Sequence, residues 1–420
     1  MRKPLIIFVL VALLIGIACD TEEPDSIFNP NATADPDPVI TSITPPDSAY
    51  GGADERFTVT IVGDYFGDNP NEVQVNFGSK LAEIVSHSAT QMVVTPPANF
   101  GDSLRIMVSK FGSNASWEFG TYEQSAGVFH PYKLLNPVQK INGFDAYTFP
   151  QSICTDSDGN VFVTHDKVVE KLSPDGTITT VGELRGKTTT RLNVGPDGAL
   201  YYVYSTNIMK VDTSTFTTHT YKKLNANALD MDFDRNDNLY AIDNNSIYAV
   251  DKTTLDPTVL LSYNDESPDT NLFCIRVYDD DLYIAGTILD STGLSNYIWK
   301  MALDVNAGTV SGNLEEVIDW STTNYSDLTL TNFTFDVDGQ MLVGTKNYAL
   351  LAITPNSGDY ASGTVKQVYR NIIGTEYIHR IYWGPDNYLY ISTFNASNTE
   401  NTKLLKVNMF GTGAPYYGRD

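Results

Sequence analysis

The sequence predicts an all-β protein in which a small β-sandwich is followed by a six-bladed β-propeller. Three observations support this fold class. The chain has 420 residues, more than the ~250–300 at which a single hydrophobic core stops growing, so two folded units are expected. Aromatic residues make up 11% of the sequence and include 25 tyrosines, a composition that favours strands. A hairpin motif also recurs along the second part of the chain.

The N-terminus has the pattern of a secretory signal peptide over residues 1–19. Arg2 and Lys3 precede an apolar run that is too short to span a membrane, and a small residue follows before Cys19. This ending resembles the lipobox of bacterial lipoproteins, which implies that Cys19 is acylated and anchors the mature chain in a membrane. Gly16 stands where a lipobox usually carries Leu or Val. The alternative is ordinary secretion with an incidental cysteine.

Residues 20–37 are acidic and proline-rich, so they predict a flexible tether. An acidic run directly behind a lipidated cysteine resembles the export signal of surface lipoproteins in glycan-degrading Gram-negative bacteria. The resemblance implies a lipid-anchored protein of the outer membrane that is exposed at the cell surface. The formal charge is −24, from 27 basic and 51 acidic side chains. It excludes nucleic acid as a partner, because a polyanion would be repelled.

Residues 38–123 predict the sandwich. Apolar residues alternate in the segments FTVTIVGDYFG and VQVNFG, as in half-buried strands, and Gly and Pro clusters separate the strands. The combination of ITPPDSAYGG, TIVGDYFG and VNFG resembles the IPT/TIG immunoglobulin-like module. In a lipoprotein this module implies a spacer that lifts a working domain away from the membrane.

Residues 126–420 predict the propeller. Hairpins recur every ~40–60 residues, around the blade length of four-stranded propeller repeats; they read DSDGNVFVT, GPDGALYYV, DRNDNLYAI, VYDDDLYIA, DVDGQMLVG and GPDNYLYIS. Their turns are predicted to need positive φ angles, which assigns Asp197, Gly198, Asp386 and Asn387 to turn geometry. The last repeat lacks a fourth strand, and residues 132–140 are predicted to supply it and close the ring.

These repeats resemble the six-bladed propellers of the NHL and gluconolactonase type. With the lipobox and the IPT/TIG-like unit, the whole chain resembles surface lipoproteins that accompany polysaccharide uptake systems, which implies an outer-membrane transporter complex as a partner. Cys154 and Cys274 fall on non-neighbouring blades. Their Cα atoms are then beyond the ~7 Å that a disulfide can bridge, so two free buried thiols are predicted.

Alternation along the inner strands predicts a polar ring around the channel. The side chains placed nearest the channel are Gln151, Arg191, Asp230, Arg276, Asn332, His379 and Arg380. Three arginines beside carboxylates and amides can hold ligand hydroxyls or a carboxylate through paired hydrogen bonds. They can equally pair across the channel and only hold the blades together, because buried charges need partners. The sequence leaves both interpretations open.

Two long insertions are predicted to bring aromatic side chains to the channel mouth: Tyr297, Trp320 and Tyr325 between blades four and five, and Phe394 in blade six. Aromatic stacking within a polar surround suits sugars. We therefore expect a non-catalytic lipoprotein that binds an extracellular glycan or other small ligand at the channel mouth, without a cofactor or a metal.

Two alternatives remain. The first is a propeller enzyme, a lactonase or polysaccharide lyase, in which Asp230, Asn332, His379 and Arg380 act around a metal or a substrate carboxylate. The resemblance to gluconolactonase-like enzymes implies a divalent metal held by a Glu, two Asn-type ligands and an Asp. Asp230 and Asn332 match in type, but no inner strand offers a glutamate. The second alternative is a protein-interaction scaffold beside an outer-membrane transporter.

Overall fold

The computed structural model describes residues 36–415 with short internal gaps at 53–55, 112–119, 122, 125–127, 130, 144–151, 187–190, 213, 263–269, 291–292, 347–348, 370–371, 374–376 and 395–402. The predicted signal peptide, including Cys19, lies outside the described residues. So does almost all of the predicted tether. No helix in the described part of the chain has the length and apolar character that crossing a membrane requires.

The first unit is a sandwich of two four-stranded sheets. One sheet joins Val39–Thr44, Val59–Asp64, Gln91–Thr95 and Glu83–His87, and the other joins Gly120–Thr121, Ile106–Lys110, Val73–Phe77 and Lys80–Leu81. A 3-10 helix, Pro70–Glu72, precedes Val73. The alternation read from the sequence places Val59, Ile61, Val75 and Phe77 in the shared core, where none of them is exposed. The predicted immunoglobulin-like fold of this unit is confirmed.

A third, smaller sheet extends the first unit beyond the predicted boundary. It joins Ser48–Tyr50, Tyr132–Leu135 and Gly101–Leu104, and a separate pair joins Glu123–Gln124 and Val128–Phe129. Tyr132 is fully buried in the sandwich core, where its ring lies 5.9 Å from that of Phe77 and its hydroxyl donates to the Pro45 carbonyl. The sequence assigned this strand to the propeller, and its packing in the sandwich core corrects that assignment.

The second unit is a ring of six radial sheets, as predicted. Blade 1 joins Ser152–Thr155, Val161–His165, Val168–Leu172 and Ile178–Glu183; blade 2 joins Leu192–Val194, Leu200–Tyr204, Asn207–Asp212 and Thr217–Lys223; blade 3 joins Asp230–Phe233, Leu239–Ile242, Ser246–Val250 and Pro257–Ser262. Blade 4 joins Thr270–Tyr278, Asp281–Asp290 and Gly293–Asp304, with Thr309–Val310 and Glu315–Asp319 sharing its outer edge; blade 5 joins Leu330–Phe335, Met341–Thr345, Leu350–Asn356 and Asp359–Val368; blade 6 joins Tyr377–Trp383, Tyr388–Phe394, Lys403–Asn408 and Val138–Lys140.

Aspartates close the turns between the first and second strands. The Asp234 carboxylate accepts a hydrogen bond from the backbone N–H of Asn238 at 2.9 Å, and Asp156 and Asp336 form the equivalent bond four residues on. Such side-chain bonds to the local backbone hold a tight turn without any ligand. The conspicuous aspartates of the repeat are therefore structural.

The two GPD turns use a different arrangement from the one predicted. Gly198 has the expected positive φ of 72°, but the structure gives Asp197, Asp386 and Asn387 no positive φ. Asp197 and Asp386 instead accept hydrogen bonds from backbone N–H groups two residues on, at 3.2 and 3.0 Å. These aspartates act through their carboxylates, and not by adopting the left-handed conformation.

The two predicted free thiols are confirmed. Cys154 in blade 1 and Cys274 in blade 4 are unpaired and buried. Burial raises the pKa of both thiols well above the ordinary value, so both are neutral near pH 7.

The ring closes through Val138–Lys140, which pairs antiparallel with Lys403–Asn408 as the outer strand of blade 6. This confirms the closure predicted from the incomplete sixth repeat, with only the second half of the predicted segment used. One blade is thus built from both ends of the propeller sequence. The closure removes the open edge that an incomplete last sheet would expose.

We predict that Gln139→Pro lowers the midpoint of thermal unfolding of the propeller. Gln139 is exposed and pairs with Lys406, and a proline there removes a donor and disfavours the pairing. Gln139→Ala, which changes only an exposed side chain, is the control. Circular dichroism melts test this: unchanged melting of the proline variant would show that the ring does not depend on this strand.

Candidate functional site

The six inner strands line up in a common register. One residue of each inner strand pairs with the first buried apolar residue of the second strand (Val161, Leu200, Leu239, Leu282, Met341 and Leu389): Thr155, Val194, Phe233, Val277, Phe335 and Trp383. We call the residues three positions earlier the upper ring: Ser152, Arg191, Asp230, Cys274, Asn332 and Arg380. We call the residues one position earlier the lower ring: Cys154, Asn193, Asp232, Arg276, Thr334 and Tyr382.

A hydrophobic layer separates the two rings. It contains Ile153, Leu192, Met231, Ile275, Phe333 and Ile381, none of which is more than 2% exposed. The sequence alternation therefore identified the apolar layer of every blade except blade 4. It also placed Arg191, Asp230, Asn332 and Arg380 together in one ring, but it added Arg276, which lies in the lower ring, and His379, which precedes Arg380.

Three upper-ring residues accept a hydrogen bond from the hydrophobic layer of the next blade. The Ser152 hydroxyl accepts from the N–H of Leu192 at 2.5 Å. Asp230 accepts from Ile275 at 3.1 Å, and Asn332 from Ile381 at 3.1 Å. We call these contacts the inter-blade hydrogen bonds. They give buried backbone donors the partners that such donors require. The Cys274 thiol occupies the same position beside the N–H of Phe333, which acts to lower the pKa of the thiol.

Arg191 and Arg380 cannot form this bond, because a guanidinium has donors and no acceptor. They occupy the upper ring in blades 2 and 6, the two neighbours of blade 1. In blade 3 the N–H of Met231 is bound by Asp230 of its own strand at 3.0 Å, and Asn193 of the lower ring donates to the Met231 carbonyl at 2.9 Å. The two arginines are the upper-ring positions that depart from the structural pattern.

Arg191 lies across the channel. Its Nε donates to Asn193 Oδ1 at 2.7 Å, its Nη1 is 4.0 Å from Asp230 Oδ2, and its guanidinium is 5.3 Å from the ring of Tyr382 in blade 6. The side chain is only 5% exposed. Burial disfavours its charge, but the carboxylates of Asp232 and Asp230 outweigh that effect and raise the pKa of Arg191.

The buried carboxylates of Asp230 and Asp232 both accept hydrogen bonds from the backbone of blade 4. Asp230 accepts from Ile275 and Met231 and forms an ion pair with Arg276 Nη1 at 2.8 Å. Burial raises the pKa of Asp230, against the opposing effect of Arg191 and Arg380. Asp232 accepts from the N–H of Val277 at 3.0 Å, and burial raises the pKa of Asp232 to about 6.

A group of partly exposed side chains lies at the start of the inner strand of blade 6. We call Tyr377, His379, Arg380 and Phe394 the mouth cluster. The ring of Tyr377 is 5.7 Å from that of His379 and 6.4 Å from that of Phe394. Burial raises the pKa of Tyr377 while the charge of Arg380 acts in the opposite direction, so the phenol and the guanidinium are close. The sequence predicted three of these residues and missed Tyr377, although it lies two positions before His379 on the same strand.

Trp320 does not lie at the channel mouth as predicted. It begins a 3-10 helix, Trp320–Thr322, that Asp319 caps, and it is 1% exposed. Its indole Nε1 donates to the carbonyls of Tyr325 and Leu328 at 2.9 and 2.8 Å. The indole therefore packs beneath its own loop and offers no face to a ligand. Tyr325 is partly buried and packs against the hydrophobic cluster that contains Trp320.

The predicted long loop in blade 4 is largely an extended hairpin. The strands Asp281–Asp290 and Gly293–Asp304 remain paired along their length. Tyr297, predicted to reach the mouth, stacks on Trp299 with ring centres 5.4 Å apart. Gln151 falls outside the described residues.

Two of the residues proposed for catalysis, Asn332 and Asp230, already form hydrogen bonds within the ring. Asn332 donates to the His379 carbonyl at 2.9 Å and accepts from Ile381, and both oxygens of Asp230 are bonded. Within the described ranges, no three side chains among His, Cys, Asp and Glu converge on a point that could hold a metal ion.

Comparison with known proteins supports the fold. A family model for the IPT/TIG domain matches residues 38–121. No curated protein matches the chain. An auxiliary nutrient binding protein of Bacteroides thetaiotaomicron is similar in structure over 90% of this chain and 98% of its own, with a TM-score of 0.52 and 13% identity.

Two further structures are similar. An auxiliary nutrient binding protein of Bacteroides ovatus covers 90% of this chain and 99% of its own, with a TM-score of 0.47 and 12% identity. A calcium-binding protein, regucalcin, of Agrobacterium tumefaciens covers 64% of this chain and 92% of its own, with a TM-score of 0.49 and 14% identity. At 13% identity, the likeness to the Bacteroides thetaiotaomicron protein supports the overall fold and nothing finer.

We predict that Asp232 makes the protein more stable as the pH falls from about 7 to about 4. Its pKa is about 6 in the fold and 3.8 ordinarily, so the folded state binds the proton more tightly than the unfolded state does. This contribution is fully present below the ordinary pKa and is lost as the pH rises through about 6.

The difference in unfolding free energy between wild type and Asp232→Asn measures this effect. It should grow towards low pH in urea denaturation series. Asp175→Asn is the control, because backbone bonding from Thr177 lowers the pKa of the exposed Asp175 below 3.8, so its difference should stay nearly constant from pH 7 to about 4 and shrink only at lower pH. A flat Asp232 profile would contradict the prediction.

Proposed function

We propose that the protein is a surface-anchored, non-catalytic lipoprotein that binds a carbohydrate or a related extracellular ligand at the channel mouth. The observation that carries the proposal is the mouth cluster, in which the ring of Tyr377 lies 5.7 Å from that of His379 and 6.4 Å from that of Phe394, next to Arg380 on the same inner strand. Acylation at Cys19 would hold the chain on the outer membrane, and the IPT/TIG-like unit would act as the spacer. We propose an outer-membrane transporter complex as the protein partner.

The chemistry of the mouth cluster suits a sugar. Tyr377 and Phe394 present partly exposed rings, and such rings stack on the apolar faces of pyranose rings. Arg380 and His379 bring hydrogen-bonding groups to the edge of that surface. The name of the similar Bacteroides protein, an auxiliary nutrient binding protein, supports the same class of role.

The proposal does not extend to catalysis. Asp230 and Asn332, which a lactonase or a lyase would need as ligands or as a base, already form the inter-blade hydrogen bonds. Removing them from that role would leave buried backbone donors without partners. No feature of the described residues favours the enzyme over the binding protein.

We predict that Tyr377→Ala weakens glycan binding ~tenfold, which corresponds to about 1.4 kcal/mol. The purified protein is tested by affinity electrophoresis in gels that contain starch, xylan, levan, pectin or chondroitin sulfate. The matched control is Tyr388→Ala, because Tyr388 begins the second strand of blade 6 near the turn, at the end of that strand away from Phe394. The proposal fails if no polysaccharide retards the wild type, or if both variants lose retardation equally.

A further inference from the structure

An aromatic cluster joins the sandwich to the propeller. We call Tyr50, Phe57, Tyr369 and Phe410 the clasp. The ring of Phe57 lies 4.7 Å from that of Phe410 and 6.0 Å from that of Tyr369, and the ring of Tyr50 lies 4.5 Å from that of Phe410. Tyr50 and Phe57 belong to the sandwich unit, whereas Tyr369 and Phe410 follow strands of blades 5 and 6. Aromatic pairs at these separations attract each other beyond the effect of the area that they bury.

Phe57 packs into the propeller although its chain segment belongs to the sandwich. It is 8% exposed and lies in one hydrophobic cluster with Val138, Leu405 and Val407 of blade 6. Val59, only two positions later, packs in the sandwich core. One short segment therefore contributes to both cores. The sandwich cannot unfold at this segment without removing a side chain from the core of blade 6.

A polar contact and a close backbone approach lie beside the clasp. Arg56 Nη1 donates to the Met409 carbonyl at 3.4 Å, and the guanidinium is 4.7 Å from the centre of the Tyr369 ring. Gly52 has a positive φ of 134°, and a Cβ atom there would lie 2.4 Å from Ile372 Cδ1, so this contact favours glycine. Packing this close is typical of the interior of a folded unit.

The covalent link between the two units is short and hydrogen-bonded. Only Asn136 and Pro137 separate the sandwich strand Tyr132–Leu135 from the closing strand Val138–Lys140. Asn136 Oδ1 accepts from the first N–H of the closing strand at 2.9 Å, and the Pro137 carbonyl accepts from the N–H of Asn408 at 2.8 Å. The sandwich therefore holds one end of the strand that completes blade 6.

We propose that the sandwich is a structural part of the propeller closure: it holds the closing strand through the clasp, and the two units unfold as one cooperative body. The sandwich would then be a rigid mount and not a spacer that swings freely. A rigid mount would keep the channel mouth in one orientation relative to the tether. Only this last consequence rests on the proposed function, through the anchor at Cys19.

Two buried thiols report on the unfolding of the propeller alone. Cys154 lies in blade 1 and Cys274 in blade 4, and both are unpaired and buried, so an alkylating reagent reaches them only when the propeller opens. Pulses of iodoacetamide along a urea series of the purified protein, followed by peptide mass spectrometry, give the midpoint of propeller unfolding. Detection by peptide separates these two thiols from Cys19.

Variants in the sandwich core test the coupling. Ile61 and Met92 are fully buried in that core, and Ile61→Val and Met92→Ala remove one carbon and a larger group from it. If the units unfold together, Ile61→Val lowers the labelling midpoint of both propeller thiols by ~0.3 M urea, and Met92→Ala lowers it further. An unchanged midpoint in both variants would show that the sandwich unfolds by itself and would overturn the proposal.

Phe111→Ala is the matched control for these variants. It removes a ring of the same unit that is 83% exposed, and loss of an exposed side chain away from special features changes stability little. The labelling midpoint of both propeller thiols should therefore stay unchanged. A fall equal to that of Ile61→Val would show that the probe does not follow the sandwich core, which would also overturn the proposal.

Phe57→Ala tests the clasp itself. The variant should lower the labelling midpoint of both thiols, because it empties part of the blade 6 core. The shift that Ile61→Val causes should also become smaller in the Phe57→Ala background than in the wild type, since the two changes act through one contact. An equal shift in both backgrounds would remove the clasp as the coupling contact and contradict the proposal.

Coupled unfolding and glycan binding fail in different ways. Retardation by polysaccharides with unchanged labelling midpoints removes the clasp as a coupling contact and leaves glycan binding intact. Coupled unfolding without retardation by any polysaccharide keeps the clasp and removes the glycan as a ligand.

Discussion

The propeller depends on one repeated contact: a polar side chain in the inner strand of one blade accepts a hydrogen bond from the backbone of the next. The inner strands lie side by side around the channel, yet each sheet is radial, so their backbone groups cannot pair as in a continuous sheet. Buried N–H groups without acceptors would destabilise the ring. Ser152, Asp230 and Asn332 supply those acceptors.

This constraint also determines where function can lie. Most of the polar side chains that surround the channel serve the ring itself, so their presence alone is no sign of a ligand site. Arg191 and Arg380 cannot accept hydrogen bonds, so neither supplies an inter-blade acceptor, and Arg380 belongs to the mouth cluster. The candidate site is therefore narrow, and it is centred on the mouth cluster of blade 6.

The sequence predicted the parts of the fold that depend on local chemistry. Aspartate turns and alternating strands recur with a regular period, so the six blades, the closing strand at Val138–Lys140 and the free thiols could be read directly. Alternation also gave the ring positions of Arg191, Asp230, Asn332 and Arg380. Tyr132–Leu135 was misassigned because its apolar alternation fits a sandwich edge as well as a blade.

The roles of the ring residues could not be read in this way, because they depend on the register between blades. Ser152, Asp230 and Asn332 look unrelated in sequence, and only the aligned inner strands show that all three accept the same kind of hydrogen bond. Trp320 was misplaced for a similar reason. Its orientation depends on the cap by Asp319 and on two carbonyls that follow it, and the composition of the loop does not distinguish an indole that packs inward from one that faces solvent.

The most direct test of this account is the thermal unfolding midpoint of Arg380→Asn. Asparagine is the upper-ring residue of blade 5, and the substitution leaves two arginines opposite two aspartates in the rings. Arg380 donates to the His379 carbonyl at 3.0 Å but cannot supply an inter-blade acceptor. If the ring depends on such acceptors more than on Arg380, the midpoint stays unchanged or rises, because asparagine can supply the acceptor that arginine cannot. A fall of more than ~4 °C, roughly 1–2 kcal/mol for a unit of this size, would show that Arg380 holds the ring together and would contradict the account.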